Sequence, residues 1–157
     1  MPLRDELLIN KNLPPGQELL LAVLLSREYA SRLSDERLFK AAGITDQQFN
    51  VLRILKGGPP EGSLIREIRR RILARGADVP RLVNRMVKVG LVCRREDPAD
   101  RRGCLVSLTP AGEALEARLA PVHEALCREV EGLLEARDRK ALVALLQTFR
   151  EAIRARP

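Results

Sequence analysis

Val79, Leu82, Val83 and Met86 alternate with Arg81, Asn84, Arg85 and Lys88, so that on a helix the two sets fall on opposite faces. With the apolar set inward, the outward set has the chemistry of a duplex reader. Arginine makes paired hydrogen bonds to guanine, asparagine makes them to adenine, and lysine neutralises phosphate. An ordinary solvated helix face is the plain alternative for each residue. Arg85 has a further one, an ion pair with Asp97 or Asp100.

A second cluster of the same character is Asp97-Pro98-Ala99-Asp100-Arg101-Arg102-Gly103. It separates two short runs rich in Val, Leu and Cys, residues 91–95 and 104–108, which reads as a β-hairpin with a basic tip. Arg101 and Arg102 could enter an adjacent minor groove, where a narrow A·T-rich stretch concentrates negative potential. Asp97 and Asp100 are expected to support this tip and orient its arginines. Ser63, Arg75, Asp78, Pro80 and Gly103 complete the set of positions expected at the duplex.

The remaining reactive side chains assemble into nothing comparable. Cys93, Cys104 and Cys127 form no CxxC pair, and an odd count with no recognisable export leader suggests reduced thiols. If Glu96 opposes Gly103, then Cys93 opposes Val106 and the two hairpin thiols are diagonal neighbours at ~7–8 Å, too far for an unstrained disulfide. His123 and Cys127 could supply half a zinc site, but two further ligands at plausible spacing are not apparent, so a packed helix face is expected and no metal or cofactor. One histidine, no glycine-rich phosphate loop and no nucleophile beside a base leave no catalytic role to assign.

Charge placement supports a polyanionic partner. Residues 63–106 hold twelve Lys or Arg against five Asp or Glu, while the rest of the chain holds sixteen of each, so the whole net charge of +7 sits in one segment. Such a field attracts nucleic acid by displacing its condensed counterions. The same segment contains no Phe, Tyr or Trp on which single-stranded bases could stack, which favours a duplex. The alternative partner is an acidic protein, with the same lobe acting as a protein-interaction module.

The elements that must hold these residues follow from periodicity and capping. Leu19, Leu20, Val23, Leu24 and Ala30 mark a helix over residues 15–32. Ser34 is placed to cap a short helix over 35–42 that Gly43 closes. Thr45 and Gln48 form a capping box ahead of Phe49, Leu52 and Leu55, and Gly57-Gly58-Pro59-Pro60 ends that helix. Ser63 is expected to cap the next, with Leu64, Ile65, Ile68 and Ile72 inward, Arg66, Arg69 and Arg70 outward, and an end near Gly76. The helix over 78–89 begins at Asp78 with Pro80 in its first turn, and Gly90 closes it. Thr109-Pro110 opens a long helix to about Leu134, and Leu142, Leu145, Leu146, Phe149 and Ile153 form the stripe of the last.

At 157 residues with 45% apolar content, the chain has enough apolar surface for a core without staples. Its longest strongly apolar run, residues 19–25, is far short of the ~20 residues that span a bilayer, so a cytoplasmic protein with no membrane contact is expected. Three short helices followed by a basic-tipped hairpin make a winged helix-turn-helix. The expected fold is mainly α with a small β-hairpin wing. A DNA-binding lobe over residues 34–109 is flanked by dimerisation helices over 1–33 and 110–157.

Several stretches carry a resemblance: Gln48-Phe49-Asn50-Val51-Leu52, Arg81-Leu82-Val83-Asn84-Arg85-Met86, Gly90-Leu91-Val92, Asp97-Pro98-Ala99-Asp100-Arg101-Arg102, and Val106-Ser107-Leu108-Thr109-Pro110-Ala111-Gly112. From about residue 36 to 115 the chain resembles the MarR family of bacterial transcriptional regulators. The resemblance implies a homodimer whose first and last helices interlock. It also implies repression relieved by a small ligand or oxidant, with an effector pocket between the dimer helices and the lobe. Paired recognition helices in turn imply a pseudo-palindromic operator with half-sites ~34–36 Å apart. The chain departs from the family pattern in two places. Gly76-Ala77-Asp78-Val79-Pro80 stands where many members have a Ser/Thr-rich start to the recognition helix, and no cysteine precedes Cys93, unlike the peroxide-sensing branch.

Overall fold

A computed structural model describes residues 3–97 and 100–156, and the side chains of Asp100, Arg101 and Arg102 lie outside what it describes. In chain order the elements are α1 (Leu3–Glu6), α2 (Pro15–Ser34), α3 (Lys40–Ala42), α4 (Asp46–Lys56), β1 (Ser63–Leu64), α5 (Ile65–Arg71), α6 (Val79–Lys88), β2 (Val92–Asp97), β3 (Asp100–Leu108), α7 (Pro110–Glu131) and α8 (Ala136–Arg154). The fold is mainly helical with a small antiparallel sheet in the order β1-β3-β2. The chain divides after Glu116 into two compact units.

The first unit holds one core. Val51, Leu52, Ile54 and Leu55 of α4, Ile68 and Ile72 from α5 and its exit, Val79, Leu82, Val83 and Met86 of α6, and Val92 and Val106 of the sheet are all buried together. Burying such side chains stabilises by about 1.5–3 kcal/mol each. The four contributed by α6 therefore fix which face of that helix is left outside.

Local chemistry sets most boundaries. Thr45 Oγ1 accepts from the Gln48 N–H at 3.2 Å while Gln48 Oε1 accepts from the Thr45 N–H at 2.9 Å, the expected capping box. At the other end of the helix-turn-helix, the Leu91 N–H reaches the Met86 carbonyl and the Gly90 N–H reaches the Val87 carbonyl, both at 3.0 Å. Gly90 makes this turn at φ +74°, a left-handed value that suits glycine.

Three expectations need correction. Ser34 does not start a new helix. Its Oγ donates to the Ala30 carbonyl at 2.9 Å, and the chain runs on through a π-helical turn, Asp35–Phe39, into α3. That wider turn re-aims the helical face, so Leu38 and Phe39 are buried whereas α2 buries nothing. Ser63 is not a cap either. It lies in β1 opposite Val106, and Leu64 is the N-cap, its N–H donating to Glu67 Oε2 at 2.9 Å. Finally, α5 ends at Arg71 rather than near Gly76. Ile72 turns extended, and the Leu73 N–H donates to Asn50 Oδ1 at 2.9 Å instead of continuing the helix.

The hairpin register also differs from the assumed one. Glu96 pairs with Cys104 and Cys93 with Ser107, because an irregularity between Glu96 and Asp97 absorbs extra residues of β3. Cys93 and Cys104 thus occupy opposite faces of the sheet, since their ladder positions differ by three and side chains alternate. They are not the diagonal neighbours the assumed register gave.

In the second unit, Arg139 of α8 closes the end of α7. Its guanidinium donates to the Glu131 and Leu134 carbonyls at 2.9 and 3.2 Å and pairs with the Glu131 carboxylate at 3.0 Å. No residue of α8 is buried; Leu142, Leu145 and Ile153 are exposed, and Leu145 is 68% exposed. Among the described residues no helix is long and apolar enough to cross a membrane.

Candidate nucleic-acid interface

The exposed face of α6 is set from both ends. Asp78 is the N-cap, and its Oδ1 accepts from the Arg81 N–H at 3.1 Å; Pro80 fits the first turn because no amide is needed there. With Val79, Leu82, Val83 and Met86 buried, Arg81, Asn84, Arg85 and Lys88 are all exposed. The structure brings these four together on one surface that carries donors for base edges and positive charge for phosphates.

The parts around α6 hold it in place. Thr109 Oγ1 donates to the Gly90 carbonyl at 2.5 Å and accepts from the Gly112 N–H at 3.1 Å, which ties the exit of α6 to the first turn of α7. Gly112 packs so closely on Leu91 that an added Cβ would meet its carbonyl. Arg94 on β2 extends its guanidinium to the Pro80 carbonyl at 3.5 Å, and Arg95 donates to the Glu61 carbonyl. These links relate the wing to the helix-turn-helix.

The other expected positions behave differently from one another. Arg75 is exposed, and its Nη1 donates to the Arg70 carbonyl at 2.7 Å, which braces the turn before α6. Asp78 is occupied as a cap, which is what an acid at this position of a helix does best. Ser63 is corrected outright: at 2% exposure its side chain is buried under Gly58, whose added Cβ would sit 3.0 Å from the Ser63 Oγ, so its hydroxyl cannot reach a duplex. Asp97 and Gly103 lie in β2 and β3, both half-buried, and Asp97 pairs in register with Asp100. Arg101 and Arg102 belong to β3, but their side chains, with that of Asp100, fall outside the described residues.

Two supporting residues escaped the sequence reading. Asn50 fixes the turn between α5 and α6, but it is one of several polar residues of α4, and nothing in its residue type or spacing marks it out. Glu67 could have been found from its spacing of three from Leu64, the reverse half of a capping box. His123 and Cys127 do meet, with Sγ 3.7 Å from Nδ1, but among the described residues no third His, Cys, Asp or Glu joins them as a metal ligand.

Comparison with known proteins agrees with this geometry. A model of the MarR family matches residues 42–103. The chain is similar to the homoprotocatechuate degradative operon repressor of Escherichia coli, with 29% identity over 131 residues that span 83% of this chain and 86% of that one. It is similar also to the transcriptional regulator HosA of Escherichia coli O157:H7, at 30% identity over 106 residues, 66% of this chain and 76% of that one. Among solved structures, a mutant MarR from Escherichia coli complexed with operator DNA superposes with a TM-score of 0.70 at 27% identity, covering 82% of this chain and 90% of that one. The matched segment contains the buried and exposed faces of α6 and its capped ends, so the likeness falls on the surface described above. The chain belongs to the MarR family of transcriptional regulators.

Proposed function

We propose that the protein acts as a homodimeric repressor on a pseudo-palindromic operator. In this reading Arg81 and Asn84 read base edges, while Arg85, Lys88 and Arg75 contact phosphates. Arg101, Arg102 and Gly103 of the wing reach the flanking groove. Asp78 and Pro80 shape the start of the reading helix, and Asp97 and Asp100 shape the wing. The single observation that carries the reading is α6 itself, in which Val79, Leu82, Val83 and Met86 are buried and the four polar side chains are all exposed.

Dimerisation is supported by apolar surface that one chain leaves uncovered. In α2 Leu19, Leu20 and Leu24 are half exposed, and in α8 Leu142, Leu145 and Ile153 are 45%, 68% and 50% exposed. Faces of this kind are unusual on a monomer. A two-fold dimer also gives the paired reading helices that two half-sites need. Repression is supported by the name of one relative, and release by a small effector follows from the family resemblance. Because that relative is named for an operon that degrades homoprotocatechuate, small aromatic acids are the first compounds to screen.

The test is selection of duplexes from fragmented genomic DNA, followed by fluorescence anisotropy on the best site beside a shuffled duplex of equal composition. A preference of ~10³ or more for the selected site, with sedimentation at twice the chain mass, supports the reading. Equal weak binding to both duplexes contradicts it and favours an acidic protein partner for the basic lobe.

A further inference from the structure

The N-terminal segment builds a groove that the DNA-binding reading does not use. Within the first unit, Leu3 and Glu6 of α1 and Ala22, Leu25, Ser26 and Tyr29 of α2 line a space of about 180 Å³. The α2 residues recur at helical spacing and so share one face. Leu20 and Leu24, assigned above to the dimer, lie on the opposite face of α2, so the groove is not part of the surface they offer. The Tyr29 hydroxyl donates to Glu6 across the groove, and the Ile9 N–H closes α1 on the Arg4 carbonyl at 2.9 Å.

The lining is of two kinds. Leu3, Ala22 and Leu25 are apolar. The polar residues have spent their donors inside the protein, the Tyr29 hydroxyl on Glu6 and the Ser26 hydroxyl on the Ala22 carbonyl at 2.7 Å. A hydroxyl has one proton to give and keeps its lone pairs, and a carboxylate only accepts. Acceptors are therefore what the groove has left: the Ser26 and Tyr29 oxygens, and Glu6 Oε2, which takes no hydrogen bond among the described residues. Among those residues no Lys or Arg lines the space; Arg32, one turn beyond Tyr29, acts on it by charge without lining the groove. Acceptors beside a carboxylate select a ligand that brings donors and a positive charge. The size suits one small ring, since an enclosed apolar cavity of ~150 Å³ takes benzene.

We infer that the groove between α1 and α2 is a binding site for a primary ammonium carried on a small apolar body, with the ammonium on Glu6 and the hydrocarbon against Leu3, Ala22 and Leu25. The inference goes beyond the DNA-binding reading and does not rest on it. The effector pocket expected between the dimer helices and the lobe is a different place, and the small aromatic acids suggested for it carry the wrong charge for this one.

Tyr29 reports on the site directly, because the chain has no other tyrosine and no tryptophan. The full chain at neutral pH, without DNA, is titrated with cyclohexylmethylamine, which does not absorb where tyrosine does. Binding is followed by Tyr29 emission and by saturation-transfer NMR on the amine. Saturation is expected with a half-point of roughly 1 mM or lower. Cyclohexanecarboxylate, the same ring with the opposite charge, should bind roughly 10-fold more weakly or worse. Glu6→Gln keeps an acceptor for Tyr29 and removes the charge, and should weaken the amine by roughly 10-fold. Ala22→Leu fills the apolar wall and should weaken it without touching Glu6.

No saturation by either method overturns the inference, as does equal binding of amine and carboxylate. An affinity unchanged in Glu6→Gln or in Ala22→Leu places the amine elsewhere and overturns it too. Circular dichroism checks folding; if Ala22→Leu does not fold, Leu3→Ala takes its place and should weaken the amine by roughly 3-fold. No arm contains DNA, so either result leaves the α6 reading standing.

Discussion

The carboxylate of Asp78 accepts a hydrogen bond from the backbone N–H of Arg81 at 3.1 Å, so the residue that caps α6 also holds the backbone of its first exposed arginine. Asp78→Ala should lower stability by about 0.5–2 kcal/mol, read as a shift of the urea midpoint. Asp78→Asn keeps an acceptor and should be close to wild type in stability. Because it also removes a negative charge next to the DNA-facing surface, it should bind random duplex more tightly. Equal destabilisation by Ala and Asn would show that the charge matters and not the cap.

Asn50 does for the turn what Asp78 does for the helix. Its Oδ1 takes the Leu73 N–H and so ends α5 at a defined point. Asn50→Ala should cost about 1 kcal/mol and speed exchange of the Leu73 amide more than that of amides in α4. Uniform acceleration would indicate a general loss of stability.

What the sequence made legible divides along the same line. Elements closed by their own residues could be read: the Thr45–Gln48 capping box and the Asp78, Pro80 and Gly90 boundaries of α6 are local chemistry. Elements closed by distant residues could not. Ser34 and Ser63 each look like caps, yet one sits inside a continuous helix through a π turn and the other pairs with Val106, 43 positions away. The end of α5 depends on Asn50, and the hairpin register depends on an irregularity between Glu96 and Asp97 that a periodic pattern does not reveal. The exposed face of the candidate site was legible because α6 is strongly two-faced. Its bracing by Thr109, Arg94 and Arg75 was not, because each reaches a carbonyl, which no residue type advertises.

The close approach at the start of α7 gives a third prediction. A Cβ at Gly112 would run into the Leu91 carbonyl, which belongs to the backbone and cannot turn away. Gly112→Ala should destabilise by about 1–3 kcal/mol in thermal unfolding. A variant as stable as wild type would show that α7 can move off Leu91 freely.

Tyr29 is the only tyrosine, and the chain has no tryptophan, so near-ultraviolet absorbance follows its ionisation alone. Its hydroxyl donates to Glu6, and that bond, followed by the negative charge of Glu6, holds its pKa above the ordinary tyrosine range. The bond needs the protonated phenol. It is therefore made in full below the ordinary tyrosine value and lost as the pH rises through the raised one. Glu6→Gln should bring the titration midpoint back down. A midpoint that does not move on this substitution would separate Tyr29 from Glu6.

The central claim is that α6 reads bases, and the most direct measurement is the affinity of wild type, Arg81→Ala and Asn84→Ala for the selected operator and for every single-base variant of it. Each substitution should cost about 1–3 kcal/mol on the operator and relax discrimination at one base position in each half-site. If each variant instead loses the same affinity on every duplex, these side chains contact only phosphate and α6 is not the reading helix.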